Sequence, residues 1–280
     1  MLKKNTLLFA LTSAALLAGC SKGGQADAAK AGASAPAAAA ATDKTYIVAT
    51  DASYAPFEYM DGDKVVGFSH DILEAAGAKE GIKFNFVNTP FEGIFANVDK
   101  GDSDVALASI TITDERKQKV DFSEPYFQAT QMIVTAAKGS DVKTFKDLKT
   151  RNVSVQNGTT ADLILQDLQG KESANIKRFE TMPLAFKELL SGGVDATVGD
   201  NGVVQNFVAN NPGVKMNTII DPSFPKEQYG FALRKGRKDD LREKINKGLA
   251  EIKADGTYAK IEAKWFNKGA AAAPASAASK

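Results

Sequence analysis

The sequence predicts an α/β protein whose sheets are mostly parallel, and three observations carry that expectation. Short apolar runs of strand character at 46–49, 82–87 and 104–108 alternate with helical apolar spacing at 71–78 and 93–99. Such alternation implies parallel strands, since the intervening helix is the crossover that a parallel pair needs. The same order then begins again, with strands at 131–136, 152–156 and 194–198 and helices at 161–168 and 182–190. About 225 residues, 43–268, hold this pattern, enough for one large domain or two lobes.

The two ends are set apart from the fold. Residues 1–19 place Lys3 and Lys4 before an apolar run from Leu7 to Ala18, the plan of an export signal and too short for a membrane span. Leu17-Ala18-Gly19 is followed by Cys20, the only cysteine in 280 residues. A single thiol builds neither a disulfide framework nor a thiolate metal cluster. Its position resembles the bacterial lipoprotein processing site, where lipid on the cysteine anchors an otherwise soluble protein to a membrane. Removing residues 1–19 takes the formal charge from +1 to −1, which argues against a nucleic-acid partner. Residues 20–42 and 269–280 are rich in Ala, Gly and Ser and are expected to be a flexible tether and a tail.

The strand ends come next. The first strand runs into Thr50-Asp51-Ala52-Ser53-Tyr54-Ala55-Pro56-Phe57, one acid and two aromatics at a carboxyl end, where open α/β sheets bind ligands. Its plainer reading is a turn with buried rings. The second strand leads to Thr89-Pro90-Phe91, which puts Phe91 on the same rim if the strands are parallel neighbours; one phenylalanine by itself is core. The third ends in hydroxyls, at Ser109-Ile110-Thr111-Ile112-Thr113. Thr113 is a helix N-cap, with Asp114 and Glu115 in the first turn where the helix dipole favours negative charge. Arg116 breaks that pattern, because a capping box asks for Glu or Gln there and a first-turn cation opposes the dipole. A guanidinium beside two hydroxyls makes a socket for a carboxylate. Pairing of Arg116 with Asp114, Glu115 or Asp121 is the structural alternative.

In the second half, Gln156-Asn157-Gly158-Thr159-Thr160 is a glycine turn feeding a helix N-terminus, which exposes backbone N–H groups to an anion. It lacks the lysine of a nucleotide P-loop. Asp200, after the strand at 194–198, is either a cleft carboxylate or the cap of a helix through Phe207. A strand follows at 229–234, and Leu241, Ile245, Leu249 and Ile252 at one-turn spacing make an apolar helix face. Gly256 ends that helix, and Tyr258, Ile261 and Trp265 form the face of a last one.

Taken together, Ala49-Thr50-Asp51, Ala55-Pro56-Phe57, Gly67-Phe68, Ile110 through Arg116, Asp121-Phe122-Ser123, Pro125-Tyr126, Asp255-Gly256-Thr257-Tyr258 and Lys264-Trp265-Phe266 resemble the polar-amino-acid family of bacterial periplasmic solute-binding proteins, in lipoprotein form. The resemblance spans nearly all of 43–268. It implies a two-lobed type II periplasmic binding fold that closes on an amino acid and delivers it to the permease of an ABC importer. The implied bounds are 43–125 with 229–268 for one lobe, 131–225 for the other, and a hinge at 126–130 and 226–228. The family's localisation is the periplasm, and the resemblance implies a monomer with no cofactor and no metal.

Site residues carry over from the resemblance position by position. Arg116 matches the arginine that grips the ligand α-carboxylate, with Ser109 and Thr111 as partners of the charged head. Asp200 matches the acceptor of the α-ammonium. Thr159 and Thr160 fall where the second lobe adds N–H groups, Tyr54 and Phe91 match the aromatic walls, and Asp51 matches a polar contact to the side-chain end. Two departures bear on the cargo. Ser69 stands where the family often has an acid, which lowers the expectation of lysine or arginine. Gln156 stands where glutamine-binding relatives have lysine. A neutral or weakly polar amino acid is expected, with glutamine, cystine or cysteine, and histidine open. The competing class is an enzyme resembling cyclohexadienyl dehydratase on the same scaffold. The only histidine is His70, so a Ser-His-Asp triad or a multi-histidine metal site has to include it.

Overall fold

The structure, a computed structural model, describes residues 44–266. The export signal, Cys20, the tether and the tail lie outside the described residues.

β1 (Thr45–Thr50) leads into a small antiparallel flap of β2 (Ser53–Tyr54), β3 (Glu58–Asp61) and β4 (Lys64–Val66). Next come α1 (Phe68–Lys79), β5 (Lys83–Asn88), α2 (Phe91–Lys100), β6 (Val105–Ala106), α3 (Asp114–Lys119) and β7 (Val120–Phe122). After β8 (Phe127–Thr135) and two short 3-10 turns the chain forms β9 (Val153–Gln156), α4 (Thr160–Gln169), β10 (Ile176–Phe179), α5 (Met182–Leu190), β11 (Ala196–Asp200), α6 (Asn201–Ala209) and β12 (Asn217–Ile219). β13 (Lys226–Tyr229), β14 (Ala232–Arg234), α7 (Leu241–Ala254) and α8 (Thr257–Phe266) complete the described residues.

One main sheet has the order β5-β1-β6-β14-β7; the other has β10-β9-β11-β8-β12, with β13 also against β8. Strands linked by helices pair in parallel, β1 with β5 and β6, β9 with β10 and β11. The sheets are mixed rather than mostly parallel, because the strands laid down where the chain passes between them run the other way. β8 is antiparallel to β11 and β12, and β14 to β6 and β7. The chain passes between the sheets twice, through the first half of β8 and through β13, and these segments pair with each other, Phe127 opposite Tyr229 and Thr130 opposite Lys226. The single strand expected at 229–234 is thereby divided, with Tyr229 ending β13 and Ala232 starting β14. β11 runs two residues later than expected and ends on Asp200 itself.

α1 buries Phe68, Ile72, Leu73 and Ala76, and packs on the apolar face of α7 that the one-turn spacing laid out. Gly248 permits the close approach, since a Cβ there would stand 2.1 Å from the Ala76 carbonyl oxygen. Burial of Phe68, Ile72 and Leu73 contributes roughly 1.5–3 kcal/mol each. Phe57 is fully buried and packs against Phe68, Phe127, Tyr229 and Phe266 at centroid distances of 6.0, 4.9, 5.4 and 5.5 Å. That cluster fixes the flap to the two crossing strands and to α8.

Candidate functional site

A cavity lies where the carboxyl ends of the parallel strands from both sheets meet. Asp51, Tyr54, Phe91, Ser109, Thr111 and Arg116 line it from the first lobe, and Gln156, Thr159, Thr160 and Asp200 from the second. Every ligand-contact residue expected from the sequence therefore lines one cavity. Glu58 and Ala108 complete the wall and were not foreseen. The cavity volume is only about 20 Å3, so side chains of the two lobes stand close together.

Arg116 owes its position to the start of α3. Thr113 caps that helix by accepting the Arg116 backbone N–H at 3.1 Å. The side chain turns back from the helix, and Nη1 donates to the Thr111 carbonyl oxygen at 2.9 Å while Nη2 donates to that of Gly158, across the cavity, at 3.2 Å. The guanidinium also lies 5.7 Å from the Phe91 ring centroid and 5.4 Å from that of Phe95, within cation–π range. The local acids are engaged elsewhere: Asp114 with Lys117, Glu115 with Lys119 and Asp121 with Lys235. Burial holds the guanidinium below its ordinary value, against the fields of Glu227 and Asp200 that raise it. The structural alternative for Arg116, a local ion pair, is thus not what the side chain does.

Asp200 sits at the N-cap of α6 yet makes no capping hydrogen bond. Its carboxylate instead accepts from Gln131 Nε2 at 2.6 Å and from the Tyr229 hydroxyl. Burial, and then Glu227, raise its carboxyl from 3.8 to about 7. Asp51 accepts from Ser53 and, across the cavity, from Gln156 Nε2 at 2.6 Å; burial raises its pKa as well. Glu58 is fully buried, with Oε2 accepting from Ser109 Oγ at 3.1 Å and Oε1 without a partner, and burial pushes it well above the carboxylate range. An unsatisfied buried acceptor on a cavity wall calls for a proton or an incoming donor.

The hydroxyls are mostly occupied. Ser109 serves Glu58, Thr111 and Thr160 serve Glu227, and Thr159 donates to the Gln156 carbonyl while capping α4 through the Asp162 N–H. The groups these residues leave to an anion are backbone N–H groups of the first α4 turn. Ser109 has φ 45°, a left-handed conformation that costs a serine of order 1–3 kcal/mol and that aims this turn at the cavity. Ser69 does not line the cavity; it is buried against the Tyr126 hydroxyl at 3.0 Å. His70 is on α1, beside Asp71 at 3.2 Å and against the Phe86 ring. Among the described residues no group of three or more His, Cys, Asp or Glu is arranged to hold a metal ion.

Two α/β lobes joined by paired crossing strands, with one guanidinium and several acids converging between them, define a two-lobed solute-binding protein. The chain belongs to the bacterial extracellular solute-binding proteins, family 3, which it matches over residues 46–268. It is 40% identical over 227 residues to a probable histidine-binding protein of Neisseria gonorrhoeae, covering 80% of this chain and 84% of that one. Among solved structures it is similar to the arginine-, lysine-, histidine-binding protein ArtJ of Geobacillus stearothermophilus, with TM-score 0.76 and 42% identity over 80% of this chain and 96% of that one. It is also similar to an ancestral amino acid-binding protein described as a precursor of cyclohexadienyl dehydratase, with TM-score 0.70 and 38% identity, covering 79% and 95%. The fold is the type II periplasmic binding arrangement. These relatives are named as binding proteins, and the chain is a binding protein rather than an enzyme.

Proposed function

We propose that the protein captures a single L-amino acid between its lobes and presents it to the permease of an ABC importer. The observation that carries this reading is the convergence of one half-buried guanidinium, Arg116, and one buried carboxylate, Asp200, on a cavity walled by two lobes. A zwitterion needs one fixed cation and one fixed anion a few ångströms apart. Arg116 and the α4 N-terminus at Thr159 and Thr160 hold the α-carboxylate, Asp200 accepts from the α-ammonium, and Tyr54 and Phe91 enclose the side chain. The lobes are 43–125 with 229–268 and 131–225, hinged at 126–130 and 226–228, and the ligand stabilises closure through contacts it makes with both.

Once the zwitterion is matched, the wall still presents Asp51 and Glu58. Two extra acids, one with an unpartnered oxygen, favour a side chain that brings N–H donors or positive charge. Histidine fits this and agrees with the names of the relatives above; arginine is the next candidate. A thermal-shift screen of the refolded protein against the standard amino acids tests the reading. Ligand at 100 times its dissociation constant adds about 2.7 kcal/mol of stability. A raised midpoint with one or two L-amino acids, histidine first, is expected, and a flat screen contradicts it. Cys20 carries lipid that anchors the protein in the cell envelope. Cys20→Ser should move it from the membrane to the soluble envelope fraction, and retention on the membrane would contradict the anchor.

A further inference from the structure

We propose that Glu227 is a positioning residue of the ligand site, a latch on the crossing strand that holds the two lobes in their closed arrangement. This rests on reading the cavity as an amino-acid site closed by the lobes. Glu227 lies in β13 and is 5% exposed. Its Oε2 accepts from the Thr111 hydroxyl of the first lobe at 2.6 Å and from the Thr160 hydroxyl of the second at 3.0 Å. Its Oε1 accepts from Gln131 Nε2 at 3.0 Å, and the same amide nitrogen reaches Asp200 Oδ1 at 2.6 Å.

Two hydroxyls from opposite lobes on one carboxylate oxygen is a contact specific to the closed arrangement. Any hinge motion that separates Thr111 from Thr160 leaves Oε2 with one of them at most. A buried carboxylate that loses donors is costly, so the shared oxygen biases the hinge toward closure. Apparent affinity scales with the fraction of protein in the competent state, so the bias reaches the ligand without contact. Glu227 is not on the cavity wall, and its influence therefore falls on every amino acid alike. Asp51 and Glu58, which are on the wall, discriminate among side chains. Through Gln131 the latch also orients Asp200, the carboxylate offered to the ammonium.

Glu227→Gln keeps the size of the side chain and removes one acceptor and the charge. Measured by stopped flow, the dissociation rate is expected to rise about tenfold, equivalent to roughly 1.4 kcal/mol, for each amino acid that binds, with their order of affinity kept. Thr160→Val removes one arm of the latch, and in that background Glu227→Gln should accelerate dissociation by less than it does alone. A ligand-free readout uses spin labels at the exposed positions Asp61 and Lys187, one per lobe, in a chain carrying Cys20→Ser. Glu227→Gln should lengthen the distance between them. An unchanged dissociation rate, additive effects in the double variant, a loss confined to one amino acid, or unaltered label distances would each overturn the latch. A wild-type protein that binds no amino acid contradicts the proposed function instead, and the label distances then still decide the latch.

Discussion

Asp200→Asn tests the electrostatics of the cavity most sharply. Burial, and secondarily Glu227, lift the Asp200 carboxyl from 3.8 to about 7, while donors from Tyr229 and Gln131 pull the other way. Between those two values the native chain holds a proton that the unfolded chain has released. Stability is therefore fully present below about pH 4, where the unfolded carboxyl is also protonated, and is lost progressively as pH rises through 7. The whole rise corresponds to roughly 4 kcal/mol, of which about 2–3 kcal/mol falls between pH 5 and 8. Asparagine does not titrate. In urea unfolding without amino acid, the stability of Asp200→Asn relative to wild type should shift by about 2–3 kcal/mol in favour of the variant from pH 5 to pH 8. A difference that stays flat over that interval, or moves the opposite way, refutes the reasoning. The same variant should bind its amino acid less tightly, because a neutral amide does not balance an ammonium.

Arg116→Ala should weaken binding by some hundredfold or more, about 3 kcal/mol, since it leaves a ligand carboxylate buried without its cation; calorimetry showing unchanged affinity would remove Arg116 from the site. Its thermal midpoint without ligand should change little, because the side chain's two hydrogen bonds go to carbonyl oxygens and an exchange for water is available to them. Glu58→Gln should reorder the cargo preference, lowering affinity for histidine or arginine by about tenfold relative to glutamine, as the wall loses an acceptor for a donor-bearing side chain. Equal loss for all three would assign Glu58 to the scaffold.

The parts of the fold that were legible in the sequence are those with a local physical signature. Apolar periodicity located the strands and helices around 43–268, and the clash of Arg116 with the dipole at the start of α3 set it apart as a candidate, which the structure places on the cavity wall. Asp200 was harder. Gly199-Asp200 reads as a turn, yet β11 continues through both because Gly199 pairs with Met132 and Asp200 with Gln131 on β8. The parallel pairing of the helix-linked strands was legible, but the direction of β8 and β14 was not, since apolar spacing does not record which way a returning neighbour runs, and their return made the sheets mixed. Glu58 and Glu227 escaped notice for a different reason. An acid after Pro56-Phe57, or between Lys226 and Gln228, looks like an ordinary surface residue. Glu58 is buried because the flap folds it toward Ser109, and Glu227 because its strand brings it to Thr111, 116 positions away. Those are long-range packing events with no local trace.

The most direct measurement is a calorimetric titration of the refolded protein with the amino acid that raises its thermal midpoint most, alongside two analogues of that compound. One analogue lacks the α-carboxylate and the other lacks the α-ammonium. A zwitterion held between Arg116 and Asp200 requires both analogues to bind at least about a hundredfold more weakly than the parent, because each leaves one buried charge unmatched. Either analogue binding as tightly as the amino acid itself would contradict the paired-charge site.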